Sequence, residues 1–570
     1  MQHGSDDESE EGLTMTFQFD LVTEPWIPCV RQDGTKVFLG LLDTLLTAHD
    51  LREIHDESPT ITVSLHRLLL AVLHHVFGPR DTKAWAQLWN GGAGPFAPAP
   101  LRAYFADPAR AGRFDLFHEQ HPFLQCVDLP FSQQVSNKGK PAVKEYLSTI
   151  ALLMPDRASG NNGTLFDHSS DDLPQPVTPA HAARLVLSIQ QFALGGRITF
   201  LDSKDGSAMA GLLCKGAVLL LEGENLFQTL MLNLVRYSPD AGQPFECSAK
   251  GDRPAWDRPP IGLPSVRRPD GYLDWLTWQA RRIRLQPERT EAGTLQVRHV
   301  VMMRGDELPD SLNRQQFETM VAFRSIPKAK TAKDAWTPIC FLESQSLWRQ
   351  SLLLFQAVVG QATPPRILNW IAELKRAGVL TRARMYPLTA RGLITNQAKC
   401  QQWRHERLAV SVALLERSDL QAVLREAADV ARLAGSVIRS CTERFFEQLL
   451  FPGRRDLPQK SKEQVAGLAA GLEAARNYWA RLETAYEELL TRIDGLPASD
   501  SADWETARIQ VLQWWVDMVR QLAKHSFEMA LDINTTSARG LQAQVYAERM
   551  FTRRLYRLGA DLFRATATAN

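Results

Sequence analysis

The chain lacks the features that assign a function most quickly. None of its seven cysteines (Cys29, Cys126, Cys214, Cys247, Cys340, Cys400, Cys441) stands in a CxxC pair. An odd number of scattered thiols fits a reducing compartment better than a disulfide framework, and a structural zinc is not expected. No apolar run reaches the roughly 18 residues that a membrane span needs. Met1 to Met15 carries Asp6, Asp7, Glu8, Glu10 and Glu11 without a single Lys or Arg, where a secretory signal would be basic and then apolar. A cytoplasmic protein with no membrane partner is therefore expected, its residues 1–15 a disordered acidic leader, with Met15 as an alternative start.

Signatures of catalysis are missing too. The sequence has no GxxxxGK[ST] phosphate loop, no HExxH and no GxSxG, which removes the commonest nucleotide, zinc-protease and serine-hydrolase chemistries. His74 and His75 are adjacent in an apolar helical stretch, and neighbouring helical residues point about 100° apart, so the two cannot share a metal. They read as satisfied or solvent-facing. Asp171-Asp172 and Glu487-Glu488 read as solvated charges in preference to a carboxylate dyad. The expectation is a protein that is not an enzyme, with no cofactor, no metal and no catalytic residue.

What is present is a soluble-type composition, 570 residues with 44% hydrophobic and 23% charged, long enough for two or more domains with real cores. Lys plus Arg number 65 against 64 Asp plus Glu. With five of those acids in the leader, the remainder is only mildly basic, so any affinity for nucleic acid must come from local patches.

Phe17 to Leu41 alternates apolar and polar residues around Gln32-Asp33-Gly34, a hairpin signal. Val63 to Phe77 places Leu65, Leu68, Leu69, Val72 and Val76 at helical spacing. Pro179 to Leu194 does the same, with Thr178 as N-cap and Pro179 at the first helical position. Up to about residue 340 the remaining apolar pieces are short and separated by Pro- and Gly-rich loops, Gly91 to Pro100 and Pro254 to Pro269 among them. From about residue 400 the pattern turns helical. Val423, Ala427, Val430, Leu433, Val437, Cys441 and Phe445 make one stripe; Leu468, Leu472, Ala475, Trp479, Leu482, Tyr486 and Leu489 make another. Ile509 to Ile533 and Leu541 to Phe563 follow, with breaks at Phe451-Pro452-Gly453, Asp494-Gly495-Leu496-Pro497 and Asn534-Thr535-Thr536. The fold class is α+β: a large irregular mixed α/β domain over 16–390, then an antiparallel four-helix bundle over 391–570. The Trp and Tyr residues of the bundle read as core.

The most informative stretch lies between the two parts. From Lys375 to Arg407 stand Lys375, Arg376, Arg382, Arg384, Arg391, Lys399, Arg404 and Arg407 against one acid, Glu406, around Thr395-Asn396-Gln397-Ala398-Lys399. Positive charge concentrated around a short amide-bearing element is what a phosphate-tracking, base-probing site requires. A solvated helix start with Asn396 as N-cap is the other reading of the same residues.

Three separated segments together resemble one family. Leu21-Val22-Thr23-Glu24-Pro25-Trp26-Ile27-Pro28 with Asp33-Gly34, then His121-Pro122-Phe123-Leu124-Gln125 with Ser159-Gly160-Asn161-Asn162 through Leu165-Phe166-Asp167-His168, then Asn396-Gln397-Ala398, are similar in order and spacing to CasA proteins. Those are the large subunits of the type I-E CRISPR surveillance complex Cascade. The resemblance implies a binding subunit without an active site. It implies as partners the guide-RNA-loaded Cascade subunits, double-stranded target DNA read through the minor groove at a short protospacer-adjacent motif, and a recruited helicase/nuclease for antiviral defence. Protein would read the short motif while base pairing reads the rest, and the minor groove, with its degenerate code, would give a tolerant reading.

Carried over residue by residue, Asn396, Gln397, Ala398 and Lys399 match the family's β-hairpin wedge, with Gln397 inserted beside the motif. Flat amides suit this, since unstacking a base step costs only a few kcal/mol. Gly195 and Gly196 fit the family's glycine loop by position, because glycine lets backbone approach bases closely; a helix C-cap is the alternative, and Gly206 and Gly211 are back-ups. The family's minor-groove lysine has no clear counterpart, and Arg304 is the nearest cation. Asn161, Asn162, Leu165, Phe166, Asp167 and His168 match the loop that docks at the guide-RNA handle and the neighbouring subunit; an ordinary turn with Phe166 in its own core is the alternative. Spacings of three and four place several of Arg549, Arg553, Arg554 and Arg557 on one face of the last helix, and Arg553 and Arg557 are taken as candidate phosphate contacts; a neighbouring subunit or plain solvated charge is the alternative. Two other classes stay open: a helical scaffold without nucleic-acid binding, and an enzyme with a dispersed site.

Overall fold

A computed structural model describes residues 16–137, 140–155, 175–198, 206–259, 262–355, 361–380, 385–396, 399–454, 456–532 and 537–559. The elements used below are β1 (Ile27–Arg31), β2 (Lys36–Leu39), β3 (Leu51–Ile54), α1 (Pro59–Val76), α2 (Pro179–Phe192), β4 (Gly196–Ile198), β5 (Gly206–Ala208), β6 (Val218–Leu221), β7 (Arg281–Arg289) and β8 (Leu295–Arg304). They continue with β9 (Met385–Asn396), β10 (Lys399–Ser411), α3 (Ser418–Leu450), α4 (Gln459–Gly471), α5 (Ala474–Asp494), α6 (Trp504–Asp532) and α7 (Ala538–Leu555).

The opening hairpin forms where its pattern places it. β1 and β2 pair antiparallel from Ile27 opposite Leu39 to Val30 opposite Lys36, and β3 adds to the other edge of β1. Gly34 turns with φ +88°, a conformation that favours glycine. The Asp33 carboxylate accepts from the Thr35 amide at 2.8 Å, an Asx-type bond that fixes the turn.

Helices α1 and α2 form the inner layer. Leu65, Leu68, Leu69 and Val72 are buried as their spacing predicts, and Val76 is half-buried at the helix end. Thr178 caps α2 through its hydroxyl, which accepts from the His181 amide at 3.2 Å. Ser188 of α2 meets Thr60 of α1, hydroxyl to hydroxyl at 3.0 Å, so polar atoms inside this apolar contact are satisfied. Arg67 of α1 pairs with Glu318 at 3.1 Å, both almost fully enclosed. The Trp275 indole N–H and the Thr319 and Met320 amides also donate to Glu318, and such added bonds are what make a buried ion pair tolerable. His74 is buried, its Nδ1 2.7 Å from the Leu70 carbonyl; His75 is half-buried against the Tyr104 hydroxyl and Asp257. Glu487 and Glu488 are exposed, Glu488 beside Arg492. These match the reading of satisfied or solvated side chains, while Asp171-Asp172 lies outside the described residues.

Small antiparallel sheets make up the strand content. One of them, ordered β10-β9-β6, carries the candidate site. β6 is buried along its whole length and pairs with Leu388 to Arg391 of β9, while β9 and β10 pair from Met385 opposite Ser411 to Asn396 opposite Lys399. Residues 399–411 are therefore strand, not the start of the helical region expected from about residue 400. Asn396 is a strand residue and not a helix N-cap. From Lys399 to Arg407 only Cys400 is buried, so both faces of this edge strand are mainly polar there and the alternation of a strand with one buried face does not show. The boundary expected between 390 and 391 falls inside β9.

Beyond Ser411 the chain is helical. α3 packs with α4, α5, α6 and α7, and α5 packs with α6. On α3, Val423, Ala427, Val430, Cys441 and Phe445 are buried and Val437 half-buried, but Leu433 is 55% exposed. Ala434 and Ile438 take the inner positions instead, because a straight helix at 3.6 residues per turn drifts off the assumed stripe. The second expected stripe is broken. α4 ends at Gly471 and α5 starts at Ala474, with Glu473 at φ +51° between them, where glycines at 467 and 471 weaken helix continuity. Leu468 is accordingly exposed. The last helix ends at Leu555, short of Phe563, so Arg553 stands in its final turn and Arg557 beyond it. Trp515 donates from its indole to the Ala427 carbonyl at 2.8 Å, Tyr478 to Ala431 at 3.1 Å, and Phe527 stacks on Phe551 at 4.0 Å, as core aromatics do. Among the described residues no helix is long and apolar enough to cross a membrane.

Candidate nucleic-acid interface

The β9–β10 hairpin starts in the core and ends in solvent. Leu388 and Ala390 are enclosed, Thr395 is half-buried, and Asn396 and Lys399 are exposed. Pairing with β6 stops at Arg391, but Gly392, Leu393 and Ile394 stay buried, so the strand leaves the core at Thr395. Gly392 lets the strand pack closely inside the core: a Cβ there would stand 2.6 Å from the Gly216 carbonyl oxygen. Register shifts between Ile394 and Thr395, a bulge of the kind that increases twist and re-aims a strand end. Gln397 and Ala398, between the paired Asn396 and Lys399, lie outside the described residues.

Much of the charge around this hairpin is already neutralised. Arg391 pairs with Glu222 at 3.2 Å, Arg404 with Glu406 at 2.9 Å and Arg376 with Glu416 at 2.9 Å. Lys375, Lys399 and Arg407 make no ion pair among the described residues, and Arg382 and Arg384 lie outside them. Burial is the main reason that Arg391 and His405 are both pulled below their ordinary values.

Gly195 and Gly196 follow α2, whose C-cap is Ala193, so the C-cap alternative for the glycines does not hold. Gly196 opens β4 with φ +144° and has open space where a Cβ would point. At Gly195 a Cβ would meet the Ala210 amide nitrogen at 3.0 Å. Gly211 has a packing role: a Cβ would stand 2.5 Å from the Gln191 carbonyl oxygen at the end of α2. Gly206 begins β5, opposite Ile198.

Arg304, at the end of β8, donates to Glu307 at 2.9 Å, and the other oxygen of Glu307 accepts from the Met209 amide at 2.8 Å. One carboxylate thus ties Arg304 to the segment leaving the β4–β5 hairpin, with its charge matched. Arg197, next to Gly196, is exposed and makes no ion pair among the described residues, which makes it the freer cation of the two. Sequence reasoning missed it because nothing local distinguishes a free arginine from a paired one. Beside this hairpin lies a cavity of about 390 Å³ lined by Met209, Lys215, Glu307, Arg314 and Trp336 among others. Both hairpins hang from one core, since β6 follows β5 and pairs with β9.

Arg549, Arg553, Arg554 and Arg557 are exposed, and Arg554 donates to the Ser440 hydroxyl at 2.9 Å. Asn161, Asn162, Leu165, Phe166, Asp167 and His168 lie outside the described residues. No group of three or more His, Cys, Asp or Glu among the described residues could hold a metal ion.

Small antiparallel sheets joined to long helices, with one hairpin presented from a buried sheet, define a mixed α/β fold that solved Cse1 structures share. A model of the family described as CRISPR-associated protein Cse1 matches residues 20–526. The chain belongs to this family, the CasA/Cse1 proteins of the type I-E CRISPR Cascade. It is 30% identical over 560 residues to the CRISPR-associated protein CasA/Cse1 of Thermus thermophilus, spanning 96% of this chain and 99% of the relative. The crystal structure of Thermus thermophilus CasA superimposes with a TM-score of 0.74 at 27% identity, over 95% of this chain and 100% of that one. A chain of a CRISPR RNA-guided surveillance complex, 18% identical, shares the fold with a TM-score of 0.70 over 94% and 99% of the two chains.

Proposed function

We propose that the chain is the Cascade subunit that recognises the protospacer-adjacent motif in double-stranded DNA through the minor groove, begins duplex unwinding, and helps recruit the helicase/nuclease. The observation that carries this reading is the hairpin that leaves a buried sheet and holds Asn396 and Lys399 at its exposed end. Gln397 is assigned the wedge, with Asn396, Ala398 and Lys399 beside it. An amide can lie against a base while bonding its edge, and a hairpin rooted in the core supplies the stiffness to push. Gly195 and Gly196 offer backbone to the groove floor, supported by the glycine-specific φ and the open space at Gly196. Arg304 serves in holding that segment, with Arg197 as the cation nearest the glycines.

The chain works by binding, not by catalysis, in the cytoplasm. Residues 161–168 dock at the guide-RNA handle and the neighbouring subunit. The α3, α5, α6 and α7 helices act as an antiparallel four-helix bundle whose division from the α+β part falls after Ser411, with Arg553 and Arg557 facing phosphates. The reading is tested with a fluorescent base analogue at the first target pair beside the motif. Guide-loaded complex with wild-type chain should unstack the reporter, and Gln397→Ala should reduce that signal; equal unstacking by both would overturn the wedge.

A further inference from the structure

The seam between the long helices and the turn Leu347–Gln350 holds two arginines, Arg349 and Arg439, that make no ion pair among the described residues, although the Glu406 carboxylate bonds the turn itself. Arg349 lies over the face of Trp479, its guanidinium carbon 3.8 Å from the ring centroid, at contact range for a cation–π pair. Behind Trp479 stands α3. A Cβ at Gly435 would lie 2.9 Å from the indole, so the ring that carries the guanidinium also packs against a glycine backbone. Neighbouring contacts fix the turn itself: Trp348 stacks on Tyr486 at 4.7 Å, and the Leu347 amide donates to Glu406 at 2.6 Å. Arg439 stands one helical turn beyond Gly435 and is exposed.

Neither Arg349 nor Arg439 has an ion pair or side-chain hydrogen bond among the described residues. Burial first, and the like charge of Arg439 second, pull Arg349 down to about 10, which leaves Arg349 a cation at neutral pH. A fold that holds two unpaired guanidinium groups together, one fixed on an aromatic platform, is preorganised for an oxyanion. Further along α3, Arg425, Arg432 and Arg439 recur at every seventh residue, close to one face and about 10 Å apart. Arg432 has only an exposed pair with Asp429, which offers little competition. A row of this kind fits a linear polyanion better than a single carboxylate.

We infer that Arg349 and Arg439 form a phosphodiester site, fixed by Trp479 and Gly435, that takes the backbone of a single-stranded nucleic acid laid along α3. The inference rests on the nucleic-acid reading of the chain. It adds a contact remote from the β9–β10 hairpin in sequence, on the helical side.

The test measures binding of a labelled single-stranded oligonucleotide to the full chain across a salt series, for wild type, Arg349→Gln/Arg439→Gln and Arg439→Gln alone. Arg439 is exposed and its side chain makes no hydrogen bond or ion pair among the described residues, so its single variant keeps the test valid if the double variant fails to fold. The site predicts several-fold weaker binding at low salt and a log–log salt slope shallower by about 0.7, the value for one single-strand phosphate. Wild-type binding with an unchanged slope in both variants would overturn the site and leave the nucleic-acid reading standing. No salt-dependent binding by wild type would contradict that reading itself. Two further arms decide the ligand. Poly-glutamate binding that displaces the oligonucleotide and needs both arginines would overturn it in favour of a protein carboxylate. Inorganic phosphate that raises the melting temperature of wild type as much as the oligonucleotide does, but not that of Arg439→Gln, would overturn the strand assignment in favour of a free anion.

Discussion

Arg391 of β9 is buried with its Nη2 3.2 Å from Glu222 Oε1, just past the end of β6, and this pair fastens the root of the hairpin. It also takes one charge out of the cationic stretch. Arg407, sixteen residues on in the same ladder, is exposed and makes no ion pair among the described residues. The two arginines should therefore separate cleanly. Arg391→Met should lower stability by about 2 kcal/mol, less than a fully enclosed pair because Glu222 keeps some solvent contact, and leave the salt slope of DNA binding unchanged. Arg407→Gln should leave the urea midpoint within experimental error and make that slope shallower by up to about 0.9 on duplex DNA. Parallel denaturation and salt-titration series check both.

The glycines divide in the same way. Gly211→Ala places a Cβ 2.5 Å from the Gln191 carbonyl oxygen, so backbone must move at the end of α2, and a loss on the order of 2 kcal/mol in unfolding free energy is expected. At Gly196 there is open space but φ is +144°, so alanine should cost about 1 kcal/mol through backbone conformation alone. Motif-dependent DNA binding should fall more for Gly196→Ala than its stability loss explains, and for Gly211→Ala only in proportion to unfolding.

Acid should unfold the α1 layer. Burial pulls His66 and His74 down to about 4 from 6.5, so both are neutral in the fold while the unfolded chain binds a proton below pH 6.5. Stability from these groups is complete above that pH and is lost as pH falls from 6.5 toward 4, each accounting for roughly 3 kcal/mol at the lower end. The urea midpoint should drop between pH 7.5 and pH 5, and more steeply in wild type than in His74→Gln. A flat midpoint over that range would contradict neutral buried histidines.

Local signals in the sequence were enough for the elements that local chemistry decides. Asp33-Gly34 marks a turn, Thr178-Pro179 a helix start, and Leu65, Leu68, Leu69 and Val72 a buried face. Strand β10 was not legible, because Lys399 to Arg407 is mainly polar on both faces and only the ladder to β9 defines it. The break at Glu473 also escaped, since no proline announces it and Leu468 to Leu489 keeps an apolar period through the gap. Charge was legible in amount but not in availability. Glu222 lies 169 residues from Arg391 in sequence, and such a partner is found only by folding the chain. The seam between Arg349 and Trp479 is of the same kind, a site assembled from segments that share no local pattern.

The central claim, that this chain reads a DNA motif for the guide-loaded complex with Gln397 at the wedge, is tested most directly by adding it back. Complex lacking this subunit would be given wild-type chain or Gln397→Ala, and binding measured on motif-bearing and motif-scrambled duplexes. The account predicts that wild type restores binding to the motif-bearing duplex only, and that Gln397→Ala enters the complex but restores it poorly. Equal binding to both duplexes with wild-type chain, or no entry into the complex, would contradict the account.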